Sequence, residues 1–304
     1  MIYVSFLKFF LKLSKLVHVS ILFLKLEWLV LYLSKVNLIF IKAFPQSYLY
    51  KKNTFRKCKR DNVNFYIDIS DYMQWYLYAN IKDNSWLQVY NNVDKKSELI
   101  IFDVGANIGA FSMKLARKCL DKNQKYIIYA FEPNKIIFNL LKNNLSLNKV
   151  ISKNIFPLQI PIGDSNKEIN FINKKNNSGG SKVFNNVKDS KSKNDTVKLK
   201  QISLDYFVKK NDIDHVDIIK IDVEGYEPIV LDGCINTIKK FKPILYIEIT
   251  PLWFKDIGRS SFELLNLLKS IGYEIFLDDE NILKPIQDFK SISNKDQFNI
   301  LAKS

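Results

Sequence analysis

Cysteine is scarce: Cys58, Cys119 and Cys234 are far apart, odd in number and without C-x-x-C spacing. That argues against a disulfide framework and a thiolate zinc centre, and it suits a reducing compartment. Nine glycines and eight prolines in 304 residues exclude a fibrous or long flexible chain. A long uncharged apolar run is missing from residues 1–44, where the longest, Leu16 to Leu24, has nine residues. A bilayer-spanning helix needs about 20. Lysines interrupt the run and no small-residue cleavage site follows it, which argues against a signal peptide. Acids are nearly absent from the first sixty positions. Residues 1–60 hold twelve Lys and Arg against one acid, Glu27, for a net +11, whereas the rest of the chain contributes only +4.

What is present divides the chain into three parts. Residues 1–60 read as a basic, apolar, helical extension. Trp28 and Tyr32 suit the headgroup level of a membrane, and the lysines suit anionic lipid. Lys51 to Arg60 reads as an exposed linker or a continuation of that contact. Residues 61–98 read as a helical lead-in with a packing stripe of Tyr72, Trp75, Tyr76, Tyr78 and Trp86. Residues 99–304 read as the catalytic domain. There the pattern predicts strands at Leu99–Val104, Tyr126–Phe131, Ile155–Ile162, Val216–Ile221, Ile244–Ile249, Tyr273–Leu277 and near Phe298–Ala302. Helices are expected at Ala110–Leu120, Asn134–Leu147, Tyr226–Lys240 and Ser260–Ser270. Near-continuous apolar strands separated by helices predict an α/β, Rossmann-like, mostly parallel seven-stranded sheet with helices on both faces. The Lys/Asn/Ser-rich interval Asn173–Thr196 is expected to be a long mobile excursion.

Ligands of open α/β sheets bind outside the carboxyl ends of the strands. Five successive strands deliver acids to that edge: Asp103, Glu132, Asp164, Asp222 with Glu224, and Glu248. One such acid is a routine cap. Five repel one another unless something cationic or hydroxyl-rich lies among them. The first strand runs through Asp103-Val104-Gly105-Ala106-Asn107-Ile108-Gly109, where Gly105 permits a sharp turn and Gly109 an early helix start. Asn107 in the middle position weakens a nicotinamide reading, and no Gly-Lys-Ser/Thr follows for a P-loop. Glu132, after the second strand, stands where a ribose-binding acid belongs.

These motifs resemble the FkbM-type methyltransferases. The likeness takes in Asp103–Gly109, Phe131-Glu132-Pro133-Asn134, Leu140–Asn148, Ser178-Gly179-Gly180-Ser181 and Ile202–Asp205. It is strongest at Ile219–Glu227, and continues through Val230–Gly233 and Pro243–Glu248. It covers about 180 residues, from Leu99 to Leu277, and departs from the family pattern at Gln159–Asp164. The resemblance implies S-adenosyl-L-methionine as cofactor and O-methylation of a hydroxyl on a glycan, glycolipid or secondary metabolite. On that reading Asp103 holds the methionine amino group, Gly105 gives it room, and Asn107 and Gly109 complete the turn. Glu132 takes the ribose hydroxyls and Asp164 faces the adenine. Asp222 is the first choice of base, with Glu224 and Glu248 beside it. No metal is expected, although clustered carboxylates suit Mg²⁺. Lys220 reads as an ion-pair partner of these acids, and Glu227 as a first-turn helix acid. The partners expected are a hydroxyl-bearing acceptor and an anionic membrane surface on the cytoplasmic side. Nucleic acid is not expected, because no Asn/Asp-Pro-Pro-aromatic clamp is present. A nucleic-acid methyltransferase, a nicotinamide oxidoreductase and an inactive membrane-attached binding module are the competing readings.

Overall fold

The computed structural model describes residues 16–22, 26–36, 38–81, 83–172, 182–184, 196–292 and 295–304. They fall into two compact units. One takes residues up to Arg60 together with Phe65–Lys82, and the other Asp61–Asn64 with Asp83–Ser304.

The first unit begins with helices α1 (Leu16–Leu22) and α2 (Glu27–Val36), bent 112° at the break between them. Short 3-10 turns follow at Leu38–Ala43 and Ser47–Leu49. Residues expected to be a linker and part of the helical lead-in instead pair as strands β1 (Phe55–Arg60) and β2 (Val63–Asp68). Asp61 and Asn62, both at positive φ, join them in a two-residue turn whose backbone matches strand twist. Val63, Phe65 and Ile67 alternate with more exposed residues, and that period of two makes β2 a strand. Helix α3 (Tyr72–Tyr78) is capped by Asp71, which accepts from the Gln74 amide at 3.1 Å. The buried Trp75 indole donates to the Pro45 carbonyl at 2.7 Å.

In the second unit the elements are α4 (Ser85–Asn92), β3 (Glu98–Val104), α5 (Ala110–Asp121), β4 (Lys125–Phe131), α6 (Lys135–Ser146) and β5 (Ile155–Leu158). Then come β6 (Lys167–Ile172), β7 (Lys182–Phe184), β8 (Thr196–Gln201), α7 (Leu204–Lys210), β9 (Ile218–Ile221), α8 (Glu227–Asp232), α9 (Ile235–Phe241) and β10 (Ile244–Ile249). Helices α10 (Pro251–Asp256) and α11 (Ser261–Ser270) lead to β11 (Glu274–Asp279), β12 (Ile282–Pro285) and β13 (Phe298–Lys303). The main sheet has eight strands in the order β12-β11-β13-β10-β9-β3-β4-β5. Strands β10, β9, β3, β4 and β5 run parallel, and β13 lies antiparallel between β10 and β11. All seven predicted strands are present, and β12 is the eighth. Ile101, Phe102, Ile219, Ile221, Leu245 and Ile247 are fully buried. Each such side chain contributes about 1.5–3 kcal/mol of transfer free energy.

Two expectations need correction. The single helix at Tyr226–Lys240 is two, because Gly233 passes so close to the next segment that a β-carbon there would stand 1.9 Å from the Gly163 carbonyl oxygen. Asp205 starts α9 afresh, accepting from the Thr237 amide at 2.8 Å and the Asn236 amide at 3.2 Å. The interval 173–196 is bounded by β6 and β8 and carries β7 within it, and these three form a separate antiparallel sheet, β7-β6-β8. The Ser178–Ser181 motif, residues 1–15 and the rest of that interval lie outside the described residues.

Candidate active site

The strand order reverses between β3 and β9, since the chain leaves β3 toward β4 on one side and returns to β9 on the other. That is the switch point at which a parallel sheet opens a crevice at its carboxyl edge. Strand β3 ends at Asp103 and Val104 and gives way to a tight turn with Gly105, Asn107 and Gly109 all at positive φ. The amides of Gly105 and Ala106 donate to the Phe131 carbonyl at 3.0 and 2.9 Å, tying the turn to the end of β4. Both glycines are packed closely against the protein. A β-carbon at Gly105 would stand 1.8 Å from the Asp222 carbonyl oxygen, and one at Gly109 2.5 Å from a Leu141 methyl.

Glu132 follows β4 and is buried. One carboxylate oxygen accepts from the Asn107 amide and the other from the Asn134 amide, each at 2.9 Å. Burial pushes its carboxyl up to about 7, against the pull of those two bonds. Asp103 is fully buried. Its Oδ2 accepts from the Ser112 hydroxyl at 2.6 Å, while Oδ1 has no hydrogen-bond partner.

Lys220 occupies the centre of the acids. Asp103 and Lys220 are register partners across β3 and β9, and Asp222 follows two residues later. The two-residue period of a strand brings such residues to one face. The Lys220 ammonium lies 3.0 Å from Asp222 and 3.5 Å from Asp103, and donates to the Gly105 carbonyl at 2.9 Å. Burial works against this ammonium, yet Asp222 and Asp103 outweigh it and hold the group above its ordinary range. The sequence signal for this centre is a lysine within the otherwise apolar run Ile218–Ile221.

Asp222, Glu224 and Glu248 each bring a carboxylate oxygen within 4.8 Å of the other two, a grouping able to take a cation. Glu248 on β10 is pushed well above the usual glutamate range by burial and then by the Asp222 charge. Gln297 donates to it. Glu227, read from sequence as a helix acid, is buried beneath this loop. Its Oε1 accepts from the amides of Val223 and Gly225 at 2.9 and 3.2 Å, and its Oε2 has no partner. Burial raises it to about 7.

Asp164 makes its contacts elsewhere. It lies six residues past the end of β5 and binds Lys167 at 2.8 Å and the Gln201 amide group at 2.9 Å. Its partial burial is outweighed by those two donors, which keep it below its ordinary value. His215 sits at the amino end of β9, its ring bonded to Asp214 at 2.6 Å, on the edge opposite the acids.

Two known proteins similar to this chain carry methyltransferase names. The hexuronic acid methyltransferase AglP of Haloferax volcanii is 27% identical over 140 residues, covering 46% of this chain and 52% of that protein. The chain thus spans about half the length of that relative. The methyltransferase sdnD of Sordaria araneosa is 28% identical over 206 residues, 60% of this chain and 76% of its own. The crystal structure of methyltransferase FkbM from Methylobacillus flagellatus superposes with a TM-score of 0.44 at 19% identity, covering 71% of this chain and 47% of that one. The profile of the Methyltransferase FkbM domain matches residues 103–275, from the buried Asp103 through the turn, Glu132, Lys220 and all three clustered carboxylates to β11. That match takes in more than half of the sequence, and the chain belongs to the FkbM methyltransferase family.

Proposed function

We propose that the protein transfers a methyl group from S-adenosylmethionine to a hydroxyl of a glycan, glycolipid or secondary metabolite. The observation that carries this reading is the pair Asp103 and Glu132 at the ends of adjacent parallel strands beside the switch point. Among the described residues, Asp103 Oδ1 has no hydrogen-bond partner and only the Lys220 ammonium at 3.5 Å, which leaves it acceptor capacity suited to an α-ammonium group. Glu132 spends one acceptor site of each oxygen on a backbone amide and keeps capacity for a ribose diol. Bound there, the cofactor supplies an electrophilic methyl group on a sulfonium.

The chain's own part is to orient the acceptor and take its proton. A sugar hydroxyl is a poor nucleophile, so in-line transfer requires positioning and a base. Asp222 suits that role. A third of its side chain is exposed, and Lys220 anchors one of its oxygens at 3.0 Å. Asp222 would take the proton leaving the hydroxyl as its oxygen accepts the methyl group, and the cofactor, held by Asp103 and Glu132, would leave as a neutral thioether. The hexuronic acid named for the Haloferax volcanii relative supports a sugar acceptor.

Calorimetry with S-adenosylhomocysteine tests the cofactor. Binding is expected, and Asp103→Ala and Glu132→Ala proteins that remain folded should each lose at least about tenfold in affinity. Tight NAD binding with no response to S-adenosylhomocysteine overturns the assignment. Transfer of labelled methyl to sugar acids, followed by base-stable linkage analysis, separates an ether product from an ester.

A further inference from the structure

The first unit carries large apolar side chains on the outward face of its helices. In α2, Val30 and Ser34 form the buried stripe, while Trp28 (66% exposed) and Tyr32 (61% exposed), also four apart, form the outward one. In α1, Leu16, Val17 and Val19 are exposed, and the buried residue is His18, whose ring is bonded to the Lys42 carbonyl at 2.9 Å. Large apolar side chains therefore face solvent on both helices, while His18 and Ser34 are buried beside Val30, unlike an ordinary surface helix with its apolar residues turned inward.

We infer that α1 and α2 dock the protein on an anionic lipid bilayer, lying in the headgroup region without crossing it. Neither helix suffices to span: the ten residues of α2 reach about 15 Å at 1.5 Å per residue, against a hydrocarbon core of about 30 Å. The 112° bend prevents the pair from acting as one straight span. Indole and phenol rings favour the boundary between headgroups and acyl chains. The choice of a bilayer over a protein partner rests on charge. Residues 1–60 carry +11, and Lys42, Lys51, Lys52, Lys57 and Lys59 of this unit are exposed. Such a combination of apolar anchors and spread lysines matches a fluid sheet of anionic headgroups. The inference does not depend on the methyl-transfer reading, because it uses none of the residues at the strand ends.

Flotation of the full chain with vesicles tests it. Vesicles of phosphatidylcholine with about a third phosphatidylserine should carry the protein at low salt, and pure phosphatidylcholine vesicles should not. Binding should fall at least tenfold when salt is raised from about 0.1 to about 0.5 M. Trp28→Glu with Tyr32→Glu should abolish flotation while S-adenosylhomocysteine binding is unchanged. Lys51→Glu with Lys52→Glu, exposed positions outside the helices, should weaken it several-fold and serves if the first pair misfolds. An emission blue shift on vesicle addition should vanish in Trp28→Phe. Absence of flotation at low salt, or unchanged flotation in both double variants, overturns the proposal. So does a loss of self-association in Trp28→Glu/Tyr32→Glu with flotation intact, which would make the face a contact between two copies.

Discussion

Gly105 and Asp222 meet backbone to backbone, with the Asp222 carbonyl oxygen filling the volume that a β-carbon at residue 105 would need. The turn below the expected cofactor site and the loop bearing the expected base are thus one rigid contact. Gly105→Ala must both displace that carbonyl and hold φ near +82°, which L side chains resist by about 1–2 kcal/mol. We expect soluble Gly105→Ala protein to turn over at least a hundredfold more slowly, with a smaller loss of S-adenosylhomocysteine affinity. Steady-state kinetics beside calorimetry checks this; wild-type turnover would show that the contact relaxes freely.

Asp222→Asn keeps shape and removes the base. Turnover should drop by about 10² to 10⁴ with cofactor affinity retained. If turnover is unaffected, the proton goes to Glu224 or Glu248. Lys220→Met has a different signature, because it strands the fully buried Asp103 beside no cation. Thermal unfolding should show a loss of about 3–5 kcal/mol, partly recovered when Asp103→Asn is added.

Glu227 makes stability depend on pH. In the unfolded chain it ionises near pH 4.5, in the folded protein near 7, because burial disfavours its charge. Its contribution to folding is full below about pH 4.5 and is lost as pH rises to about 7, on the order of 3 kcal/mol at ~1.4 kcal/mol per pH unit. Glu132 acts in the same direction over the same range. Glu227→Gln retains an acceptor for the Val223 and Gly225 amides and cannot ionise. Denaturant titrations at pH 5 to 8 should show a shallower fall in stability for the variant than for the parent. Parallel pH curves would contradict the assignment.

The carboxylates at the edge of β9 and β10 have part of their charge offset by the protein itself. Lys220 supplies an ammonium to Asp222, and burial with the Asp222 charge raises Glu248 well above the usual glutamate range. Turnover should therefore be indifferent to a chelator and to added Mg²⁺. Activity lost on chelation and restored by Mg²⁺ would identify Asp222, Glu224 and Glu248 as its ligands instead.

The sheet was legible in the sequence because its central strands are buried on both faces, so they read as near-continuous apolar runs such as Leu99–Phe102 and Ile244–Ile247. Strand β12 was not, since Ile282–Pro285 is an exposed edge with no apolar face to betray it. The break between α8 and α9 was hidden for another reason. Val230, Leu231, Cys234 and Ile238 preserve a helical spacing through it, and the interruption comes from Gly163 pressing on Gly233. The acids at the strand ends could be named from position alone. Which of them share a partner could not, because Lys220 meets Asp103 through strand register, and Gln201 reaches Asp164 across 37 residues.

Strand β13 is threaded into the sheet between β10 and β11, though it is made after both. During synthesis the parallel half from β5 to β10 can assemble as it emerges, but the β11–β12 hairpin has no neighbour to join until Phe298–Lys303 has been added. Assembly is therefore not vectorial at this edge. A nascent chain stalled just short of residue 298 would hold the parallel strands with one edge of β10 open and an unattached hairpin, and would present both to chaperones.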